Sequence, residues 1–266
     1  MEIFQYDFMI KAFIAGILIA ILTSSLSIFV VVKRYAMLSD ALAHISLLGV
    51  AIGFLFEIST ISMAILTSCI AAILIEYIKS YKKIYSDSIL SIFLSASLAI
   101  SIIIVSFSNN FTTSLFDYLF GSIIAISDED IIIIVSFFII VLIFMGVFYQ
   151  KLLLISFDEE LAISNGINVK FINLTFTGLI GIMVAISIKI IGTLLIGALM
   201  IIPVISAIFL KQNFIKTWIF SSIFSVLSII IGLTISFYIS APSGATIVIV
   251  LLIIFLITLF ISKKSR

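Results

Sequence analysis

Histidine is almost missing from this chain: His44 is the only one in 266 residues. With a single imidazole there can be no H-E-x-x-H zinc-protease motif, and none is present. One cysteine, Cys69, lies inside an apolar run and excludes a disulfide framework within the chain. Charged residues make up only 10% of the sequence and the net charge is +1, so neither a nucleic-acid partner nor an acidic surface partner is indicated. No G-x-x-x-x-G-K-[ST] occurs, which removes a P-loop and ATP hydrolysis by this chain. G-x-S-x-G is absent too, leaving an intramembrane hydrolase without support. The sequence does not read as an enzyme.

What is present is hydrocarbon. Hydrophobic residues reach 64% and the mean hydropathy is +1.46, more than a soluble core of this size can hide, so the solvent is lipid. A helix needs about 20 mostly apolar residues to cross a bilayer. Breaks at polar clusters leave nine candidate spans, near 8–32, 40–56, 58–78, 88–107, 131–149, 171–188, 190–210, 217–238 and 245–261. Eight spans, with the 171–210 region irregular, is the competing count. The expected fold is therefore an all-α polytopic transmembrane bundle of 8–9 spans, one membrane domain covering residues 1–266. The start of the chain carries Glu2 and Asp7 rather than a basic region, and reads as an uncleaved first span.

Positive charge sets the orientation. Lys33 and Arg34, then Lys79, Lys82 and Lys83, then Lys151 and Lys170, then Lys211 and Lys216, then Lys263, Lys264 and Arg266 fall at alternate connections. Nine spans then place the N-terminus outside and the C-terminus inside. The longest outer connection, 108–130, is apolar enough in its middle to lie in the interface or form a short re-entrant helix. The longest inner one, 150–170, contains "FDEELAISNGINVK". It reads either as a short amphipathic helix with Asp158 as N-cap and Gly166 as its end, or as a solvated loop with one helical turn.

The second span opens "SDALAHISLLGVAIG". At 100° per residue, Asp40 and His44 lie about 40° apart on a helix, and Gly49 and Gly53 sit roughly opposite. The G-x-x-x-G lets a neighbouring backbone approach closely. A carboxylate and a neutral imidazole at i, i+4 both suit zinc and related divalent cations. One chain supplies only two such ligands; a two-fold dimer would supply four, or helices from elsewhere in the chain would complete the shell. The alternative is that Asp40 merely N-caps the span and His44 is a hydrogen-bonded packing residue. Other polar positions have ordinary readings: Asp7 with Lys11 as an i, i+4 pair, Glu76 beside the inner lysines, Lys189 as a turn or snorkelling side chain, and Asn173 as an interhelical hydrogen bonder. Gly192, Gly197 and Pro203 together suggest a kinked or broken helix.

Taken in order, "YAMLSDALAHISLLGVAIGF" (35–54), "LFGSIIAISDED" (119–130), "FDEELAISNGINV" (157–169), "IKIIGTLLIGALMIIPVISA" (188–207) and "APSGATIVIV" (241–250) resemble the membrane permease subunits of the zinc/manganese ABC importers. The resemblance covers nearly the whole chain. It implies a bacterial plasma-membrane importer that works as a homodimer. Its partners would be a second permease copy, a dimer of cytoplasmic ATP-binding subunits and an extracytoplasmic metal-binding protein. No cofactor is held permanently; the metal is cargo. The resemblance also implies that Asp40 and His44 contact the ion. It makes the stretch near 157–167 a cytoplasmic coupling helix, with Asp158, Glu159, Glu160, Leu161, Ala162 and Gly166 meeting the ATPase. Many relatives have an acid two residues before the proline of the "PSG" turn, where this chain has Ser240, leaving its outer vestibule less anionic. The run "AHISLLGVA" resembles zinc-type members, since manganese-type ones tend to carry a proline near Leu48. The expected cargo is therefore zinc, with manganese or iron as alternatives inside the family. Outside it stand an ion-coupled secondary carrier using the Asp–His pair and a structural membrane protein without a substrate.

Overall fold

Long apolar segments in hydrocarbon must satisfy their own backbone hydrogen bonds, and helices do so. The computed structural model describes residues 2–82, 86–106, 117–122 and 126–264. A 3-10 turn at Glu2–Gln5 leads into α1 (Asp7–Val32), α2 (Met37–Leu55), α3 (Thr60–Lys82), α4 (Ser86–Ser106) and α5 (Asp128–Phe157). These are followed by α6 (Glu159–Ser164), α7 (Val169–Ile191), α8 (Thr193–Ile208), α9 (Phe214–Ile239) and α10 (Ser243–Lys264). There is no strand among the described residues.

All of these helices except α6 and α8 are long and apolar enough to span a membrane, giving eight candidate spans. The ninth expected span, 190–210, is α8, which has only 16 residues, about 24 Å, and falls short of the ~30 Å hydrocarbon layer. The chain breaks at Gly192 rather than at Lys189. Gly192 has φ 90° and ψ 154°, a conformation a side-chain-bearing residue resists, and this forces a corner between α7 and α8. Pro203 lies inside α8 without ending it. Most of the expected 108–130 interfacial segment lies outside the described residues, as do Lys83 and Arg266; residues 117–120 form one helical turn.

Burial sorts the helices. In α1 and α7, 72% of the membrane-length window is buried, against 22% in α4 and 28% in α5. The first pair forms the centre, and the second pair shows Ile102, Ile132 and Ile143 to lipid. Phe29 anchors one end of the core, 5.3 Å from the Phe214 ring and 6.2 Å from those of Tyr149 and Phe176.

Because lipid tails are as apolar as leucine, close packing rather than water expulsion joins such helices. Small residues supply the grooves. A Cβ on Gly16 would lie 2.8 Å from Ile229 on α9, and one on Gly232 would lie 2.6 Å from Ile247 on α10. Buried hydroxyls mostly turn back on their own helix. Thr23 donates to the Ile19 carbonyl, Ser101 to Ser97, Ser187 to Met183 and Ser206 to Ile202, at 2.7–2.8 Å.

Charged side chains gather at the two ends in the alternation the sequence predicts. At one end Lys33 Nζ donates to Asn173 Oδ1 (2.8 Å), and Lys79 sits 3.5 Å from Glu76 and 4.2 Å above the Tyr35 ring. At the other, Lys11 meets Asp128 at 2.7 Å as well as Asp7 at 3.7 Å. There Lys189 is not a snorkelling side chain: it donates to Asp130 Oδ2 at 2.6 Å. The same carboxylate oxygen accepts from the Ser127 backbone N–H and hydroxyl, both at 2.8 Å, closing the capping box that starts α5. The lysine bias is the ground for expecting the first end to be the cytoplasmic one. They are called the basic and acidic ends below.

Candidate functional site

Helix α2 starts after a tight turn at Lys33–Ala36, in which the Tyr35 backbone N–H donates to the Val30 carbonyl at 2.9 Å. Ala36, not Asp40, is its N-cap, and no side chain caps it. Ser39 returns its hydroxyl to the Ala36 carbonyl at 3.2 Å. Asp40 is therefore free of the capping duty that was its alternative reading. Its half-buried carboxylate lies directly against Gly197 of α8. A Cβ built on Gly197 would fall on Asp40 Oδ1, with Cγ at 2.9 Å and Oδ2 at 3.3 Å. The sequence marked Gly197 only as a bend signal in an apolar run; its neighbour across space was not readable there.

His44 sits one turn further along α2. Its Nδ1 is buried and has no hydrogen-bond partner among the described residues. Such an atom in a membrane interior is expensive, and ionisable groups there mark functional paths. The opposite side of α2 is given to packing. A Cβ on Gly49 would lie 2.6 Å from the Met63 carbonyl oxygen and 2.7 Å from Ala64 Cα, and one on Gly53 would lie 2.9 Å from Thr60 Cα. The Ser46 and Ser68 hydroxyls bond each other across the same α2–α3 interface. So α3 fixes α2 from behind while Asp40 faces α8. Among the described residues no group of three or more His, Cys, Asp or Glu could hold a metal. Among the described residues, the chain places two ligand-type side chains, Asp40 and His44, one turn apart on α2 and adds no third to them.

The residues near 157–167 stand apart from this pair, at the basic end. Asp158 Oδ1 accepts from the Leu161 N–H at 2.9 Å and caps the six-residue α6. Gly166, at φ 74°, donates to the Ile163 carbonyl at 2.9 Å and closes the turn. Ala162 is fully buried; Glu159, Glu160 and Leu161 are exposed, with Phe157 66% and Ile163 58% exposed beside them. An apolar surface of this kind at the end of a lipid-embedded bundle fits a protein partner. Glu159 also lines a cleft of about 460 Å³ with Lys33, Arg34 and Asn173. Burial pushes the Lys33 ammonium down to about 8, and Lys79 adds repulsion that Glu76 and Glu159 only partly oppose.

At the acidic end an open cleft of about 740 Å³ includes Asp117, Phe120, Ser240 and Pro242. Ser240 ends α9 in the left-handed region, at φ 55°. Asp117 is the one acid among the described residues lining this cleft, so the mouth is weakly anionic.

Three comparisons bear on this arrangement. Residues 5–262 match the family described as the ABC 3 transport family. The chain is 32% identical to the manganese import system permease protein of Streptococcus parasanguinis, over 98% of this chain and 93% of that one. It is also 32% identical to the high-affinity zinc uptake system membrane protein of Haemophilus influenzae, over 98% and 100%. Among solved structures, PsaBC from Streptococcus pneumoniae in complex with a Fab aligns with TM-score 0.87 and 31% identity, covering 98% of this chain and 94% of that one.

Proposed function

The chain belongs to the ABC 3 transport family, and from that premise we propose that it is the permease of an ATP-driven importer of a divalent transition-metal ion. It is a multi-pass integral protein of the bacterial plasma membrane. The observation that carries the reading is the Asp40–His44 pair: a carboxylate and an imidazole with an unpartnered buried nitrogen, one turn apart inside a membrane helix. Carboxylate oxygen and neutral imidazole nitrogen both bind first-row divalent ions. Two ligands per chain are too few to trap an ion, and a two-fold second copy doubles them to four. A site completed between two copies also opens when they move apart, which suits cargo that must leave.

The relatives carry manganese, zinc and iron names. We take zinc as the first reading, from the run 43–51 without a proline near Leu48, with manganese or iron as the alternatives. No nucleotide-binding motif occurs in the chain, so hydrolysis belongs to a separate cytoplasmic ATPase dimer. Its contact would be α6, where Glu159, Glu160 and Leu161 face outward while buried Ala162 and the Gly166 turn fix the helix to the bundle. An extracytoplasmic protein would deliver metal to the cleft beside Asp117 and Ser240. Closure of the ATPase dimer would then shift α6 and tilt the bundle, changing which side reaches Asp40 and His44.

The test is uptake of zinc, manganese and iron in competition, with the permease reconstituted with its ATPase and binding protein. Asp40→Ala and His44→Ala, at normal protein level, should each reduce uptake of the preferred ion at least about tenfold. Undiminished uptake in both variants overturns the ligand assignment. Uptake that persists without the ATPase replaces the importer with an ion-coupled carrier.

A further inference from the structure

We infer that α8 forms the second wall of the ion site: Gly197 fixes where the Asp40 carboxylate stands, and the Thr193 hydroxyl serves the ion or a water it carries. The inference rests on the Asp40–His44 reading and adds two residues from a different helix to it.

At position 197 the space a Cβ needs is occupied by Asp40 Oδ1, with Cγ and Oδ2 close behind. Glycine here is a requirement of the carboxylate's position. With any larger residue, Asp40 would have to rotate away from α8.

Direction gives the second part. Helix α2 leaves the basic end, where Lys33 meets Asn173; α8 starts beside Lys189, at the acidic end, and runs back. One turn forward from Asp40 is His44, and one turn back from Gly197 is Thr193. Both turns therefore lie on the same side of the Asp40–Gly197 contact, toward the acidic end.

Each of these two positions carries a buried polar atom with no partner among the described residues: His44 Nδ1 and Thr193 Oγ1. Thr193 has a specific reason to be left over. Most buried hydroxyls in this bundle donate one turn back along their own helix, as Ser187 and Ser206 do. Thr193 is the first residue of α8, and the Gly192 corner breaks the turn behind it. The Lys189 carbonyl, four residues back, is taken by the Ser122 N–H at 3.1 Å. A hydroxyl is a weak direct ligand but a good hydrogen-bond partner for metal-bound water.

The experiment uses the full chain assembled with its ATPase, the complex in which two permease copies meet, with zinc binding followed by calorimetry and folding by thermal melting. Thr193→Val keeps the shape and removes the hydroxyl. It should leave the melting temperature equal or higher while weakening zinc about tenfold. Zinc affinity unchanged in this variant overturns the role of Thr193. Gly197→Ala should lower both melting temperature and zinc affinity in the native background. In the Asp40→Ala background the same change should be harmless to melting, because the new methyl takes the vacated space. An equal drop in both backgrounds overturns the role of Gly197. Should Gly197→Ala alone not fold, folding of the double variant supports the inference, and failure of both counts against it. Native zinc affinity in Asp40→Ala alone is a different result: it removes the Asp–His reading itself.

Discussion

The two ends of the bundle are held together in opposite ways. At the acidic end, three backbone segments touch directly. A Cβ on Gly121 would collide with the Ile190 carbonyl, one on Gly192 would lie 2.6 Å from the Phe120 carbonyl carbon, and one on Gly244 would lie 2.7 Å from the Phe120 carbonyl oxygen. The Lys189–Asp130 pair and the Ser122-to-Lys189 backbone hydrogen bond lock the same junction. At the basic end, long side chains make the joints: Lys33 reaches Asn173 and the Phe176 ring, and Lys79, paired with Glu76 on its own helix, reaches the Tyr35 ring. Backbone contact has no rotamers to adjust, whereas lysine joints can lengthen and re-form. The contrast suits the proposed importer, in which the drive would come from the basic end, where the joints yield, against an acidic end whose joints do not.

The contrast can be broken experimentally, most severely at Gly192. Gly192→Ala puts a methyl into backbone and forces a φ of 90° on a side-chain-bearing residue, so it should cost about 3 kcal/mol or more. Little or no folded, monodisperse protein in detergent is the expected result; native melting would show that the junction is not rigid. Next comes Lys189→Met, which strands a carboxylate whose side chain is only 9% exposed. A loss of about 2 kcal/mol is expected, less than for a fully buried pair because Lys189 is 23% exposed, and Lys189→Met with Asp130→Asn should recover most of it in chemical unfolding.

The last effect belongs to the basic end, appears only at alkaline pH, and is read by a pH series. Lys33 has a folded value of about 8 against an ordinary 10.5, so the unfolded chain holds this proton more tightly and protonation disfavours the fold. Stability is therefore lowest below pH 8 and rises as pH climbs from 8 toward 10.5, by up to about 3 kcal/mol. Lys33→Met should abolish that rise in a melting series. A rise that survives the substitution assigns it to another group.

Much of the bundle was legible because each bilayer crossing needs its own run of about 20 apolar residues, which local composition reveals. What composition hides is correct pairing at a distance. Lys189 looked like a lone cation because its partner, Asp130, is on another helix. The ninth span looked long enough because the Gly192 corner depends on one dihedral angle, not on polarity. Asp40 was readable as a cap or a ligand, and Ala36 as the actual cap removes the first option. The role of Gly197 could not be read locally, since the atom that excludes its side chain comes from α2. An alignment showing Gly197 and Asp40 changing together would have revealed it.

The inward-turned hydroxyls have a consequence for how such a protein is made. Thr23, Ser101, Ser187 and Ser206 each satisfy their hydroxyl within their own helix. A hydroxyl satisfied in this way can leave the insertion machinery with its helix and wait in lipid without bonding the wrong neighbour. Recognition between waiting helices is then left to shape, to the grooves at Gly16, Gly49 and Gly232 and the side chains or backbone that fit them. Thr193 and His44 are exceptions to that self-sufficiency, and they become neighbours of the same contact only when α2 and α8 have met.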